Sequence, residues 1–209
     1  ARLSCPPALI PAPGQYLLAH AATDSDAPLA HPLFPTDTTS NGFHAAPPIP
    51  SNWLPGLELT LRGPLGRGFH LPPAARRVAL AAFGSTSARL LALLEPALSQ
   101  KAEIVLLADT PPENLPAAIE ISPLAALAEI TPWADYLALD APRAALPAIR
   151  DILNPGSRYF YPVAAEILVE TPLPCGGMGE CGVCAVPQRR GYRLACKDGP
   201  VFDLGTLFS

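Results

Sequence analysis

The sequence contains little positive charge. Only 14 of its 209 residues are Lys or Arg, against 18 Asp and Glu, and lysine occurs only at Lys101 and Lys197. Proteins that bind nucleic acid neutralise its phosphates with clustered basic side chains, and the basic residues here are scattered. The composition therefore argues against a nucleic-acid partner.

Long apolar runs and familiar catalytic patterns are missing as well. No stretch of about 18 apolar residues is free of charge and proline, so we expect no transmembrane helix. The first seven residues lack the apolar core of a signal peptide. The four histidines lack the spacing of a metal-binding pair, and no Ser–His–Asp order stands out. The sequence thus indicates no catalytic residues.

Proline and cysteine are the conspicuous residues that remain. There are 28 prolines, and each fixes φ and removes a backbone donor, which excludes it from central strands and helix interiors. Four of the five cysteines lie in the last 35 residues. A secreted disulfide scaffold is usually smaller and more evenly cross-linked. The distribution therefore predicts a cytoplasmic protein with a metal site near its C-terminus.

The chain divides into three predicted units, residues 1–74, 75–162 and 163–209. In the first, residues 15–21 and 57–61 have the pattern of strands, whereas the proline-rich residues 22–56 read mainly as loop.

The second unit has the pattern of an α/β domain. Strands are predicted at 77–83, 103–108, 117–121 and 136–139. One helix should begin after a turn capped by Ser85 or Thr86 and be kinked or ended early by Pro96. Another should begin at Pro142 and run to residue 152. Strands that alternate with helices indicate a doubly wound parallel sheet.

The third unit has a predicted strand at 165–170, a cysteine loop, and a hairpin formed by 182–186 and 192–196. The spacing of its cysteines is C-x5-C-x2-C-x11-C, for Cys175, Cys181, Cys184 and Cys196. Four thiolates suit a [2Fe–2S] cluster, and the glycines among them would let backbone N–H groups turn toward the sulfurs. Structural zinc and unligated or disulfide-bonded cysteines are the alternatives. Cys5 stands apart as a small core or surface residue.

Two segments of this unit resemble a known family. The runs PCGGMGECGVC at 174–184 and ACKDGPVF at 195–202 are similar to the electron-transfer subunit of NAD-linked bacterial dihydroorotate dehydrogenase. In that family four cysteines bind one [2Fe–2S] cluster, and the matching positions here are Cys175, Cys181, Cys184 and Cys196. The first gap is one residue longer than the plant-type ferredoxin spacing.

The resemblance extends upstream. PGQY at 13–16 looks like the turn and strand of the family's flavin-binding barrel, and GPLGRGF at 63–69 looks like the segment that joins barrel and nucleotide domain. The order implies a ferredoxin-reductase-like fold of class α/β plus β: a shortened flavin-reductase-like barrel, a doubly wound α/β domain, and a C-terminal [2Fe–2S] loop with hairpin.

Two family motifs are altered. The flavin motif Arg-Pro-x-Ser of the family is represented here by His31-Pro32-Leu33-Phe34. An imidazole thus replaces a guanidinium that can bind phosphate, and an aromatic ring replaces a hydroxyl. FAD binding at His31 and Leu33 is therefore left open. The nucleotide turn after the first α/β strand keeps a single glycine, Gly84, where dinucleotide sites have several. NAD binding is not expected.

The resemblance implies an electron-transfer component of an oxidoreductase complex rather than a stand-alone enzyme. Its cluster would pass electrons between a flavin-containing, dihydroorotate-dehydrogenase-like catalytic partner and a downstream acceptor, in pyrimidine biosynthesis. A structural or assembly subunit of a larger redox complex is one alternative. An FAD-dependent NAD(P)H oxidoreductase is the other.

Overall fold

A computed structural model describes residues 1–21, 29–84, 86–153 and 164–208. Its strands are β1 (Arg2–Ser4), β2 (Tyr16–Ala21), β3 (His31–Leu33), β4 (Pro35–Thr39), β5 (Gly42–Ala45), β6 (Leu59–Leu65), β7 (Arg77–Ala82), β8 (Glu103–Leu107), β9 (Ile119–Ser122), β10 (Tyr136–Pro142), β11 (Ala164–Glu170), β12 (Ala185–Pro187), β13 (Tyr192–Leu194) and β14 (Val201–Asp203). The α-helices are α1 (Leu94–Ser99), α2 (Leu127–Ile130), α3 (Leu146–Leu153), α4 (Ala195–Asp198) and α5 (Leu204–Phe208). Short 3-10 helices lie at Pro7–Leu9, Ala88–Leu93, Leu124–Ala126, Thr131–Trp133 and Arg143–Ala145. Within these ranges, no helix has both the length and the apolar character needed to cross a membrane.

The N-terminal part consists of two three-stranded antiparallel sheets, in the orders β1-β5-β4 and β3-β2-β6. They enclose a small core of Leu17, Ala19, Leu33, Phe43 and Ala45. Such a pair of short sheets agrees with the expected shortened barrel.

The predicted loop at 22–56 is wrong over residues 31–45, where β3, β4 and β5 lie, whereas residues 46–56 contain neither strand nor helix. Residues 22–28 fall outside the described residues. β3 and β4 carry Pro32 and Pro35, and both are edge strands. At an edge the missing N–H of a proline leaves no sheet hydrogen bond unmade, so proline density did not exclude strands.

The central sheet has the order β14-β11-β10-β7-β8-β9. Five neighbouring strands are parallel, and β14 joins β11 antiparallel. The chain moves outward from β7 in one direction through β8 and β9, and then in the other through β10 and β11. The predicted doubly wound sheet is confirmed, and its strand order reverses between β7 and β10.

Two helix predictions need correction. The helix expected at residues 90–98 is a 3-10 helix followed by α1, whose first turn holds Pro96, a position where proline removes no helical hydrogen bond. Pro142 does not start a helix; it ends β10, because its extended backbone precedes the 3-10 helix that leads into α3. Residues 154–162 of the predicted second unit fall outside the described residues.

The C-terminal segment is built into the central sheet. β11 leads to the cysteine loop, the predicted hairpin is present as β12 and β13 with Ala185 opposite Leu194, and β14 returns to pair with β11. The second hairpin strand ends at Leu194, so Cys196 lies in α4 and not in a strand. Both ends of the cysteine segment are therefore fixed to one sheet.

Candidate metal centre

The four C-terminal cysteines come together from a loop and a short helix. Cys175, Cys181 and Cys184 lie between β11 and β12, and Cys196 lies in α4. The Cys175 thiol interacts with those of Cys181 and Cys196, and Cys184 interacts with Cys196. Cys5 packs elsewhere, beside the core of the two N-terminal sheets.

The four side chains form a gradient from the interior to the surface. Cys184 is 1% exposed and Cys196 is 5% exposed, whereas Cys175 is half-buried and Cys181 is exposed. Among the described residues, no group of three or more Cys, His, Asp or Glu side chains is arranged to hold a single metal ion.

Backbone donors surround Cys175. The N–H of Gly179, the Cys181 thiol and the N–H groups of Met178 and Gly177 lower the pKa of Cys175 to about 6. The Met178 N–H also donates to the Cys175 carbonyl oxygen at 3.4 Å. Gly177 has φ = +82°, a conformation that other residues adopt only with strain. The expectation that loop glycines turn N–H groups toward a sulfur is confirmed at this cysteine.

The Cys184–Cys196 pair is held by the hairpin. The N–H of Ala195 donates to the carbonyl of Cys184 at 3.0 Å, and the N–H of Leu194 donates to Asp198 Oδ2 at 2.9 Å. Burial, followed by the nearby Cys184 thiol, raises the pKa of Cys196 to about 12.

Gly199 explains another part of the ACKDGPVF run. A Cβ there would lie 2.5 Å from the Phe202 ring, so only glycine allows this ring to pack beneath the turn. The run is thus a compact turn that presents Cys196.

Two contacts near the cysteines were not predicted. Tyr16, at the start of β2, packs in the same core as Cys184 and Cys196. Arg143 Nη1 donates to the carbonyls of Val183 at 3.0 Å and Ala185 at 2.7 Å, which ties the cysteine loop to the central sheet. PGQY marked Tyr16 as a strand residue, but no sequence signal connected either residue with the loop.

The comparisons with known proteins bear first on this segment. Residues 170–208 match the family model described as the iron–sulfur cluster binding domain of dihydroorotate dehydrogenase B. The C-terminal segment resembles that iron–sulfur domain. The resemblance inferred from the cysteine runs is therefore confirmed there, and an iron–sulfur cofactor is supported. None of the curated proteins compared with the chain matches it significantly.

Solved structures extend the likeness to the whole chain. A structure of NADH-dependent reduced ferredoxin-NADP oxidoreductase, studied for flavin-based electron bifurcation, is similar with a TM-score of 0.72 and 18% identity, over 97% of this chain and 82% of that one. Ferredoxin reductase in carbazole 1,9a-dioxygenase is similar in two structures. One, the FAD apo form, has a TM-score of 0.51, 18% identity and coverage of 75% and 56%. The other has a TM-score of 0.51 and 17% identity, over 75% of this chain and 58% of that one. At such identities the likeness shows the ferredoxin-reductase-like fold alone.

The predicted flavin residues do not form an open site. Leu33 is fully buried between the two N-terminal sheets. His31 Nε2 lies 2.9 Å from the carbonyl oxygen of Pro48, and its ring meets Trp53 edge-on with the centroids 5.8 Å apart. Both side chains are engaged in packing.

Phe34 fills the space beside them. Its ring is 9% exposed and lies 5.5 Å from the Tyr16 ring, centroid to centroid. The adjoining cavity, lined by His31, Phe34 and Arg89 among others, measures about 130 Å³, whereas ligand pockets usually begin near 300 Å³. The residues present do not fit an isoalloxazine ring.

The crevice where dinucleotides bind in such sheets, at the carboxyl ends of β7 and β10, is also filled. Arg89 Nε and Nη2 donate to the two carboxylate oxygens of Asp140 at 2.8 and 2.7 Å, and Nη2 also donates to Glu170 at 2.7 Å. Asp140 is fully buried; burial raises its pKa, and the Arg89 guanidinium works against that rise. The guanidinium carbon lies 5.7 Å from the centroid of the Phe34 ring.

The turn that should receive a pyrophosphate is altered too. Thr86 Oγ1 accepts the N–H of Ala88 at 3.1 Å, but the N-cap residue of the following helix is Ser87, whose side chain makes no capping hydrogen bond. The predicted cap is therefore wrong for Thr86, and Ser85 falls outside the described residues. A 3-10 helix at Ala88–Leu93 follows instead of an α-helix. Without an aligned α-helical N-terminus, these residues do not fit a dinucleotide.

Proposed function

We propose that Cys175, Cys181, Cys184 and Cys196 hold one [2Fe–2S] cluster, and that the chain passes electrons one at a time between a flavin-containing catalytic partner and a downstream acceptor. The observation that carries the proposal is the convergence of the four thiols: that of Cys175 contacts those of Cys181 and Cys196, and that of Cys196 also contacts that of Cys184. A [2Fe–2S] cluster takes two thiolates on each iron, and when bound it supplies one-electron redox chemistry at a potential set by its surroundings.

The residues of the chain position and shield such a group. Cys184 and Cys196 anchor it in the core, and the N–H groups around Cys175 offset the charge of that thiolate. Arg143 holds the loop against the central sheet. Cys181 would mark the side at which electrons enter or leave, because it is exposed.

The surface around Cys181 supports docking of a protein partner. Met178, Val183 and Tyr192 are 61%, 44% and 67% exposed, which places apolar side chains next to the proposed cluster. The match to a dihydroorotate dehydrogenase B domain supports a catalytic partner of that kind in a hetero-oligomer, with a role in pyrimidine biosynthesis. We place this complex in the cytoplasm, where free cysteines such as these stay reduced.

The proposal includes no flavin or NAD held by this chain. Phe34 and the Arg89–Asp140–Glu170 cluster support that part, since Phe34 narrows the cavity beside His31 and the charged cluster fills the crevice at the carboxyl ends of β7 and β10. The chain is then a relay rather than a reductase. The three units at 1–74, 75–162 and 163–209 remain our proposed division.

The test is a cofactor inventory of anaerobically purified protein. About two iron and two sulfide per chain, no stoichiometric flavin, and uptake of one electron in a dithionite titration followed by EPR are expected. Stoichiometric FAD with bleaching by NADH would favour the reductase alternative. Zinc without sulfide would end the electron-transfer proposal, and a cluster that no donor reduces would favour a structural subunit.

A further inference from the structure

The hydroxyl of Tyr16 is a buried donor without an acceptor. Tyr16 is fully buried, and its oxygen has no hydrogen-bond partner within the part of the chain that the structure describes. Tyrosine hydroxyls buried in proteins normally find a partner, because losing water without a replacement costs free energy. An orphaned hydroxyl of this kind indicates an acceptor that the polypeptide does not supply.

The hydroxyl faces the cysteine loop. A Cβ on Gly177, between Cys175 and Cys181, would lie 3.8 Å from the Tyr16 oxygen and 3.8 Å from the Cys196 carbonyl oxygen. The oxygen is therefore close to the loop at Gly177, where the loop also approaches the helix that carries Cys196. Away from them, the ring packs on Phe34 and approaches Gly66, neither of which offers a side-chain acceptor.

A tyrosine hydroxyl keeps its proton at neutral pH, because its ordinary pKa is about 10, so Tyr16 is available as a hydrogen-bond donor. Thiolates and inorganic sulfide accept hydrogen bonds, and such bonds help set the potential of iron–sulfur clusters.

We infer that the Tyr16 hydroxyl donates a hydrogen bond to a sulfur of the bound cluster and thereby raises its reduction potential. This inference rests on the proposed function. Reduction adds one electron, taken from a reduced flavin of the partner or from dithionite in vitro, and moves no proton. The added negative charge strengthens the hydrogen bond, so Tyr16 favours the reduced state. Tyr16 thus acts only by changing the reduction potential of the cluster.

The test compares Tyr16→Phe with Tyr192→Phe in the full chain loaded with cluster. Tyr192 lies in the hairpin between Cys184 and Cys196, opposite Pro187, and is 67% exposed, which makes it the matched control. In a mediated anaerobic titration, Tyr16→Phe should lower the potential, and a tenfold change in the reduction equilibrium would correspond to about 59 mV for one electron. Tyr192→Phe should leave the potential unchanged.

A second measurement keeps the inference testable if Tyr16→Phe does not fold. Fluorotyrosine placed at position 16 keeps the ring but makes the hydroxyl a stronger donor, so it should raise the potential. An unchanged potential in every Tyr16 protein that carries full iron and sulfide, the fluorotyrosine protein alone if Tyr16→Phe does not fold, would overturn the inference and leave the proposed function standing. Wild-type protein without iron and sulfide would instead overturn the proposed function.

Discussion

The cysteine loop and the crevice above β7 and β10 differ in how their polar groups are satisfied. In the crevice, Arg89 binds both oxygens of Asp140 and also Glu170, and Phe34 covers the guanidinium. At the loop, N–H groups surround a thiol that sits near the surface, and the Tyr16 hydroxyl has no acceptor among the described residues. The polar groups of the crevice are satisfied without a ligand, whereas those of the cysteine loop need a bound group to satisfy them.

The two regions belong to one fold, but only the cysteine loop has side chains suited to a cofactor. The central sheet preserves the strand reversal that creates a dinucleotide crevice, while bulky and charged side chains fill it. A shared architecture therefore does not carry a shared set of cofactors. Four predictions test this contrast.

The largest effect is expected from Cys181→Ala. Loss of one of the four proposed thiolates should reduce the iron and sulfide content to near zero, while folding is little affected because the side chain is exposed. The measurement is iron and sulfide per chain with the visible circular dichroism of the cluster. Cys5→Ala is the control and should keep full content; a normal cluster in Cys181→Ala would refute the ligand assignment.

Asp140→Ala should cost about 3–5 kcal/mol of the free energy of unfolding, toward the lower end because Glu170 still pairs with Arg89. The cause is a buried guanidinium left without its main partner. Urea unfolding measures it, and Asp151→Ala is the control, since its pair with Arg150 is exposed and worth about 0–1 kcal/mol. Equal losses in the two variants would show that the crevice is not held by this ion pair.

Gly182→Ala and Gly191→Ala form a matched pair. Both glycines have positive φ, +70° and +79°, and a Cβ at either would meet no atom within 4 Å. Each change should therefore destabilise its turn by about 1 kcal/mol. Gly182 lies between Cys181 and Cys184, so only the Gly182→Ala change should also speed the release of iron to a chelator, by about fivefold. Identical release rates would mean that the loop conformation does not control cluster retention.

The smallest effect concerns Asp135, at the amino end of β10 and thus opposite to Asp140. Its hydrogen bond from the Arg77 side chain, with that from the Arg76 N–H, lowers its pKa below the usual value. The stabilisation is present above the unfolded pKa of about 3.9 and is lost as the pH falls through the folded value.

Asp135→Asn should consequently lower the urea midpoint at neutral pH. The gap to wild type should close in acid, below about pH 4. If the difference in urea midpoint between the two proteins stays constant as the pH falls, the Asp135 carboxylate is not its origin.

Much of the fold could be predicted because its signals are local. β7, β8, β10 and β11 are runs of buried residues between turn signals, and they lie where the pattern predicted them. In the N-terminal part, β2 and β6 were predicted, whereas β3 and β4 were missed because proline on an edge strand gives the same local signal as proline in a loop. Pro142 was misplaced for a similar reason, since it fits either the end of a strand or the start of a helix.

The sequence alone determined the four cysteines, the glycines between them and the family they resemble, because these features occupy one short segment. Their role as ligands stays a prediction. The tertiary structure decided which distant residues meet: Arg89 with Asp140, 51 positions apart, and Tyr16 with the cysteine loop from the other end of the chain. Such contacts depend on how sheets pack, and packing joins residues whose separation in the sequence carries no signal.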